Sequence, residues 1–167
     1  MVASKLIADT SMREVAEDMV AAEVNVEGRT VVVTKAKGPG GTVGKANDAV
    51  AKLVDDYKSK VSLIVMVDAG LKLEGEDSGY VVEGVGAAIG GVGVEKFKIE
   101  ELATKHKIPV YAIIVRQSLK EVLSPMTDVL INSADEVINR LGRVIRERTE
   151  EGNTVLVVGV GNTIGIA

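Results

Sequence analysis

The sequence predicts a single α/β domain over residues 1–167, a three-layer sandwich around a mainly parallel, Rossmann-like sheet of about four or five strands. Two observations predict this class. Four short aliphatic runs lack polar alternation, as strands buried on both faces do; they are TVVVT at 30–34, VSLIVMV at 61–67, PVYAIIV at 109–115 and TVLVV at 154–158. Helical patterns alternate with these runs, and this order is typical of parallel sheets with right-handed crossovers.

Helix starts are marked by capping boxes, in which a Ser is followed three residues later by a Glu. The three boxes are Ser11 with Glu14, Ser118 with Glu121 and Ser133 with Glu136. The first box precedes apolar residues at helical spacing, so it predicts an N-terminal helix over about 11–23, ahead of a core over about 30–167. Apolar spacing also predicts helices over about 45–59 and 94–106, and the third box predicts a last helix that ends near Gly152.

Composition excludes several classes of function. Aromatic residues make up only 2%, and 20 basic against 24 acidic side chains give a net charge of -4, so we expect no nucleic-acid partner. The absence of Cys excludes disulfides and thiolate chemistry. No apolar run approaches the roughly 18 residues of a membrane span, and the N-terminal segment turns acidic too early for a signal peptide. The expectation is therefore a cytoplasmic protein.

Glycine follows the strands in a repeated pattern. The spacing G-x-G-x-x-x-G occurs in GPGGTVG at 38–44, GVGAAIG at 84–90 and GVGNTIG at 159–165. The first and third share the tighter form G-x-G-x-T-[VI]-G, and each directly follows a predicted strand. Glycine lets main-chain N–H groups converge on an anion, and ligands of open α/β sheets bind at the carboxyl ends of strands. Tight strand-to-helix turns also need glycine, so a purely structural role stays open.

These loops predict a site for a phosphate-containing small molecule, and in particular a nucleotide. The predicted binding residues are Gly38, Gly40, Gly41, Thr42, Gly44, Lys45, Gly159, Gly161, Asn162 and Thr163. Lys35 and Lys37 flank the first loop as further cations. The shared form also predicts that strands 30–34 and 154–158 are neighbours, so that both loops face one cleft.

An acidic segment after the second aliphatic run suggests a metal. Asp68 ends that run, and Mg²⁺ often bridges such a carboxylate to a ligand phosphate, so Asp68 is the predicted metal ligand. Its alternative partner is a ribose hydroxyl. Arg116, after the third run, is a candidate anion clamp, whereas His106 is interpreted as a surface residue at a helix end. The sequence leaves open whether the protein is an enzyme.

Two other functions stay open. GPGGTVGKA departs from a P-loop by one extra spacer and by Ala46 in the place of the magnesium-binding hydroxyl, which leaves a degenerate P-loop-like NTP-binding protein as one alternative. The second is a non-catalytic interaction or structural domain that forms a homo-oligomer. In that reading the small residues of 84–93 form a close-packing surface between chains.

Three stretches carry a family resemblance: VDAGLKLEGEDSG, EGVGAAIGGVGVEKFKIEELATKHKIPVYAIIV and the terminal VGVGNTIGI. Over roughly residues 30–167 the chain resembles an uncharacterised archaeal family, catalogued as a domain of unknown function. The resemblance implies an archaeal, cytoplasmic-facing domain. Longer members carry N-terminal membrane-spanning helices, which this chain lacks. The resemblance brings no established activity and assigns no catalytic residues.

Overall fold

The computed structural model describes residues 1–57, 60–88, 94–161, 164 and 166. Its helices are α1 (Val2–Leu6), α2 (Ala46–Tyr57), α3 (Val94–Lys105), α4 (Leu119–Val122) and α5 (Asp128–Arg148). Its strands are β1 (Arg13–Ala16), β2 (Met19–Val26), β3 (Arg29–Ala36), β4 (Val61–Leu71), β5 (Val81–Val85), β6 (Val110–Gln117) and β7 (Thr154–Gly159). The four predicted aliphatic strands and the helices over about 45–59 and 94–106 are therefore confirmed.

One mixed sheet joins the strands in the order β1-β2-β3-β7-β4-β6-β5. The central strands β3, β7, β4 and β6 run parallel, whereas β1, β2 and β5 pair antiparallel at the two edges. The α/β class is confirmed, but a mainly parallel sheet of four or five strands was wrong. The three additional strands contain no continuous aliphatic run that would have predicted them. β1 and β5 are short, and β2 mixes buried and exposed residues.

Helices cover both faces of this sheet. The core on one face joins α1 and α5 to alternate strand residues such as Val33, Val65 and Val157. The core on the other face joins α2 and α3 to the intervening residues, such as Val32, Ile64 and Leu156. This alternation between the faces explains why the central strands are apolar along their whole length.

The N-terminal helix predicted over 11–23 was wrong. This segment forms β1 and β2, which turn at Asp18 with a φ of 56° and continue the sheet through antiparallel pairing with β3. Val15 and Met19 are buried, as the helical spacing required, but they are buried on a strand hairpin. Pairing with β3 overrides local helical preference here, because eight residues of β2 find partners there.

The capping boxes had mixed outcomes. Ser118 caps α4 through a complete capping box with Glu121, as predicted. Ser133 instead lies inside α5, which begins after Thr127, and its hydroxyl donates to the carbonyl oxygen of Leu130 at 2.7 Å. Within the described part of the chain, no helix is both long and apolar enough to cross a membrane.

Candidate functional site

The two glycine loops that share the tighter form lie side by side. β3 and β7 are parallel neighbours, with Thr34 opposite Val158, so the predicted adjacency of these strands is confirmed. A Cβ placed on Gly41 would lie 3.3 Å from Cγ1 of Ile164, and one on Gly161 would lie 4.0 Å from the carbonyl oxygen of Thr42. Both loops therefore reach the same edge of the sheet. Asn162 and Thr163 lie outside the described residues.

Polar groups of the first loop are engaged within the chain. The Thr42 hydroxyl donates to the carbonyl oxygen of Lys37. The Lys45 ammonium pairs with the Glu17 carboxylate, and the hydrogen bond from Lys45, followed by its positive charge, lowers the pKa of Glu17. Lys37 likewise pairs with Glu14. The acidic residues of β1 and its turn thus offset the cations that the sequence assigned to a phosphate.

The fold itself also requires glycine in this loop. Gly38 to Gly41 connect β3 to α2, and the Gly38–Pro39 peptide is cis. Gly44 has a φ of +65°, and a Cβ there would come within 2.4 Å of the Met19 sulfur. Any side chain at 44 would therefore both strain the backbone and collide with the β1–β2 turn.

A cavity of about 90 Å³ opens at the carboxyl ends of the four parallel strands. Its floor comes from strand ends, with Lys35 on β3, Val67 on β4, Val115 on β6 and Gly159 on β7. Residues 1–3 at the start of α1 line another side of it, together with Met126 and Leu130 near the start of α5. Gly161 of the second loop also lines it, so the cavity adjoins the glycine loops.

Lys35 supplies the cation of this cavity. Only 3% of the residue is exposed, although lysine is almost never fully buried without a partner. Among the described residues, no carboxylate lies within ion-pair distance of its ammonium group. Burial lowers the pKa of Lys35 below its ordinary value of 10.5, because desolvation disfavours the charged form. Burial, and then the charge of Lys35, also lower the pKa of the Met1 amino group.

Gly159 determines how closely α1 approaches the sheet. A Cβ at this position would lie 3.1 Å from the Cβ of Ala3 and 3.7 Å from the Cβ of Lys35. The glycine thus lets α1 rest directly on β7 beside the lysine. A glycine is therefore needed at position 159 for the packing of α1 beside the cavity, and not for a turn.

Asp68, the predicted metal ligand, lines the same cavity from β4. Its carboxylate accepts a hydrogen bond of 2.8 Å from the backbone N–H of Ala69. The described residues contain no group of three or more acidic or His side chains arranged to hold a metal. The geometry thus brings Asp68 and Lys35 to one cavity.

The remaining acidic segment is used structurally. Glu76 pairs with Arg116 at 3.5 Å, and Arg116 also donates to the carbonyl oxygen of Leu71. Arg116 therefore ties down the segment after β4 and is not placed as an open anion clamp. Glu83 pairs with Arg140 and Arg143 of α5. His106 is exposed directly after α3, as predicted.

The comparison with known protein families matches residues 1–167 to the family described as Domain of unknown function (DUF1512) C-terminal. The match covers the whole chain, including the β1–β2 hairpin that the sequence resemblance left outside. No curated protein matches the chain. The family resemblance is thus confirmed, and the description carries no activity.

Proposed function

The chain belongs to this family of unknown function, and from its own geometry we propose that it binds a phosphate-containing small molecule at the carboxyl edge of the parallel strands. One observation carries the proposal: a lysine that is 3% exposed lines a cavity and has no carboxylate partner among the described residues. A buried ammonium is costly unless a charge or hydrogen-bond acceptor meets it. An anionic ligand group would supply that acceptor.

The cavity volume limits what enters. About 90 Å³ holds one phosphate or carboxylate group, whereas pockets for whole drug-sized ligands run to roughly 300 Å³ or more. A nucleotide would therefore place one phosphate beside Lys35 and extend outward. The adjoining loops over 38–44 and 159–161 are where its remainder would lie, since Gly161 borders both the cavity and Thr42.

The roles of the lysines follow from their partners. Lys45 already has Glu17, so a ligand phosphate would have to compete with that carboxylate. Lys35 faces no such competition within the described chain. We therefore assign the principal phosphate contact to Lys35, with Lys45 as an outlying charge. A degenerate P-loop gains no support from this arrangement, because it would require Lys45 as the phosphate cation.

Isothermal titration calorimetry with inorganic phosphate, ATP and NAD, each with and without Mg²⁺, tests the proposal. We expect binding of at least one anion, and Lys35→Met should weaken it by about 10–100-fold, the equivalent of one lost hydrogen bond to a charged group. Lys45→Met is the matched control and should change affinity by less than about threefold.

Two results would contradict the proposal. The first is no heat with any ligand of the panel while the chain is folded by circular dichroism. The second is the reverse ranking of the variants, with Lys45→Met abolishing binding and Lys35→Met retaining it. That ranking would return the site to the glycine loop as the sequence predicted it.

A further inference from the structure

We infer that Lys35 is also a nucleophilic amine that forms a Schiff base with a small aldehyde or ketone. The inference uses the cavity of the proposed function, but it does not depend on anion binding. It starts from the surroundings of the lysine. Three buried apolar residues line the cavity beside it: Val67 of β4, Val115 of β6 and Leu130 of α5.

Apolar walls change the chemistry of an amine. Only the neutral amine has the lone pair that attacks a carbonyl, and an ordinary lysine holds almost none of it at neutral pH. Desolvation in an apolar pocket favours the neutral form, which is how enzymes activate lysines for Schiff-base chemistry. The burial of Lys35 acts in this direction, and the cavity provides space for a small carbonyl compound beside it.

The step is a condensation that releases water. The Lys35 nitrogen attacks the carbonyl carbon, a C–N bond forms, and the carbonyl π electrons move to oxygen, which takes up the proton that nitrogen loses. The resulting carbinolamine then loses its hydroxyl together with the remaining proton of the nitrogen as one water molecule, and the nitrogen lone pair forms the carbon–nitrogen double bond. The reverse reaction is hydrolysis, so the hydride that traps the Schiff base must be present while the two are in equilibrium.

The charged groups that line the cavity influence the pH at which Lys35 loses its proton and becomes reactive. Asp68 lines the cavity from β4, and the amino group of Met1 lies at the start of α1. The linings from β6 and the α5 region, Val115, Gln117, Met126 and Leu130, carry no titratable group. A carboxylate in the same cavity favours the charged amine, whereas burial, which lowers the pKa of Lys35, favours the neutral one.

Reductive trapping tests the inference. The full chain is treated at pH 7 with glycolaldehyde or glyoxylate and sodium cyanoborohydride, whose hydride converts the Schiff base to a stable secondary amine. Peptide mass spectrometry then measures labelling at each lysine. We expect the initial labelling rate at Lys35 to exceed that at the exposed Lys52 and Lys120 by at least about tenfold.

Controls separate a reactive amine from mere exposure. The preference should disappear in urea, where all lysines are equivalent, and it should shrink as the pH approaches 10, where exposed amines lose their protons too. Lys35→Arg keeps the positive charge but removes the nucleophilic amine, so it should abolish site-specific trapping. Labelling of Lys35 at or below the rate of Lys52 and Lys120 in the folded chain overturns the inference.

The two aldehydes distinguish this inference from the proposed function. Glycolaldehyde is uncharged, so its trapping at Lys35 supports a reactive amine whether or not phosphate binds. Phosphate binding without any preferential trapping would support the proposed function and overturn this inference. If both hold, glyoxylate should label Lys35 faster than glycolaldehyde, and added phosphate should protect it.

Discussion

Lys35 and Lys45 flank the same glycine loop but lie in opposite environments. Lys45 keeps about half of its side chain in solvent and pairs with Glu17 at the turn between β1 and β2. Lys35 is buried beneath α1 and lines a cavity with no carboxylate partner among the described residues. The first cation is therefore paired within the fold, whereas the second is the one to which we assign the proposed anion.

The comparison shows why a lysine next to a glycine loop is weak evidence for a phosphate site. The added hairpin brings acidic side chains to the loop, where Glu14 and Glu17 take Lys37 and Lys45. The face of the sheet beside the cavity instead receives the apolar sides of α1 and α5. A ligand therefore gains more at Lys35, where it replaces no existing ion pair.

The largest effect is expected at Gly44. Gly44→Ala places a Cβ 2.4 Å from the Met19 sulfur at a φ of +65°, so it should lower the free energy of unfolding by about 2–4 kcal/mol. Gly152→Ala is the matched control, because its φ is +82° but nothing lies within 4 Å of the added carbon. It should cost about 1 kcal/mol. Urea unfolding measures both, and equal losses would show that the hairpin does not shape the loop.

A smaller effect of opposite sign is expected at Lys35. Burying a protonated amine destabilises the folded chain, so Lys35→Met should raise the free energy of unfolding at pH 7, on the order of 1 kcal/mol. The gain should shrink as pH rises from the lowered pKa of Lys35 towards 10.5, because the wild-type amine is then neutral in both states. Lys45→Met should show no gain. A gain at Lys35 that is constant with pH would contradict the role of charge burial.

The smallest effect concerns Thr42. Its hydroxyl donates to the Lys37 carbonyl, so Thr42→Val should lower stability by about 0.5–1 kcal/mol while phosphate affinity stays within about twofold. Thermal unfolding and calorimetry on the same preparation measure the two quantities. A large loss of affinity with unchanged stability would mean that the hydroxyl serves a ligand, and it would weaken the contrast between the loop and the cavity.

Sequence patterns predicted the part of the fold that lies in the middle of the sheet. The four aliphatic runs are buried on both faces. The glycine pattern that two loops share correctly predicted that β3 and β7 are neighbours. The apolar spacing gave the wrong prediction at 11–23, because the positions of Val15 and Met19 fit the apolar side of a helix and the buried side of a strand hairpin equally well. The strand pairing that decides between them is with distant β3.

The sequence predicted a site at the carboxyl edge of the sheet, and Asp68 and Gly161 of the second glycine loop do line one cavity at that edge. Whether a ligand binds there stays a prediction. Lys35 stood in the sequence as one of three flanking lysines, and it is buried in the fold where α1 packs against β7 beside it. Nothing in the local pattern reveals that closure, because α1 spans only Val2–Leu6 and is distant in sequence.

The position of β7 has a consequence for the order of assembly. This strand lies between β3 and β4, and among the described residues it alone pairs with both of them. Until residues 154–159 emerge during synthesis, β3 with its hairpin and β4 with β6 are separate pieces, each with an open edge. The cavity, whose floor includes Gly159, cannot exist at that stage. The cavity is therefore completed in the same event that closes the sheet, and the binding that we propose requires the finished sheet.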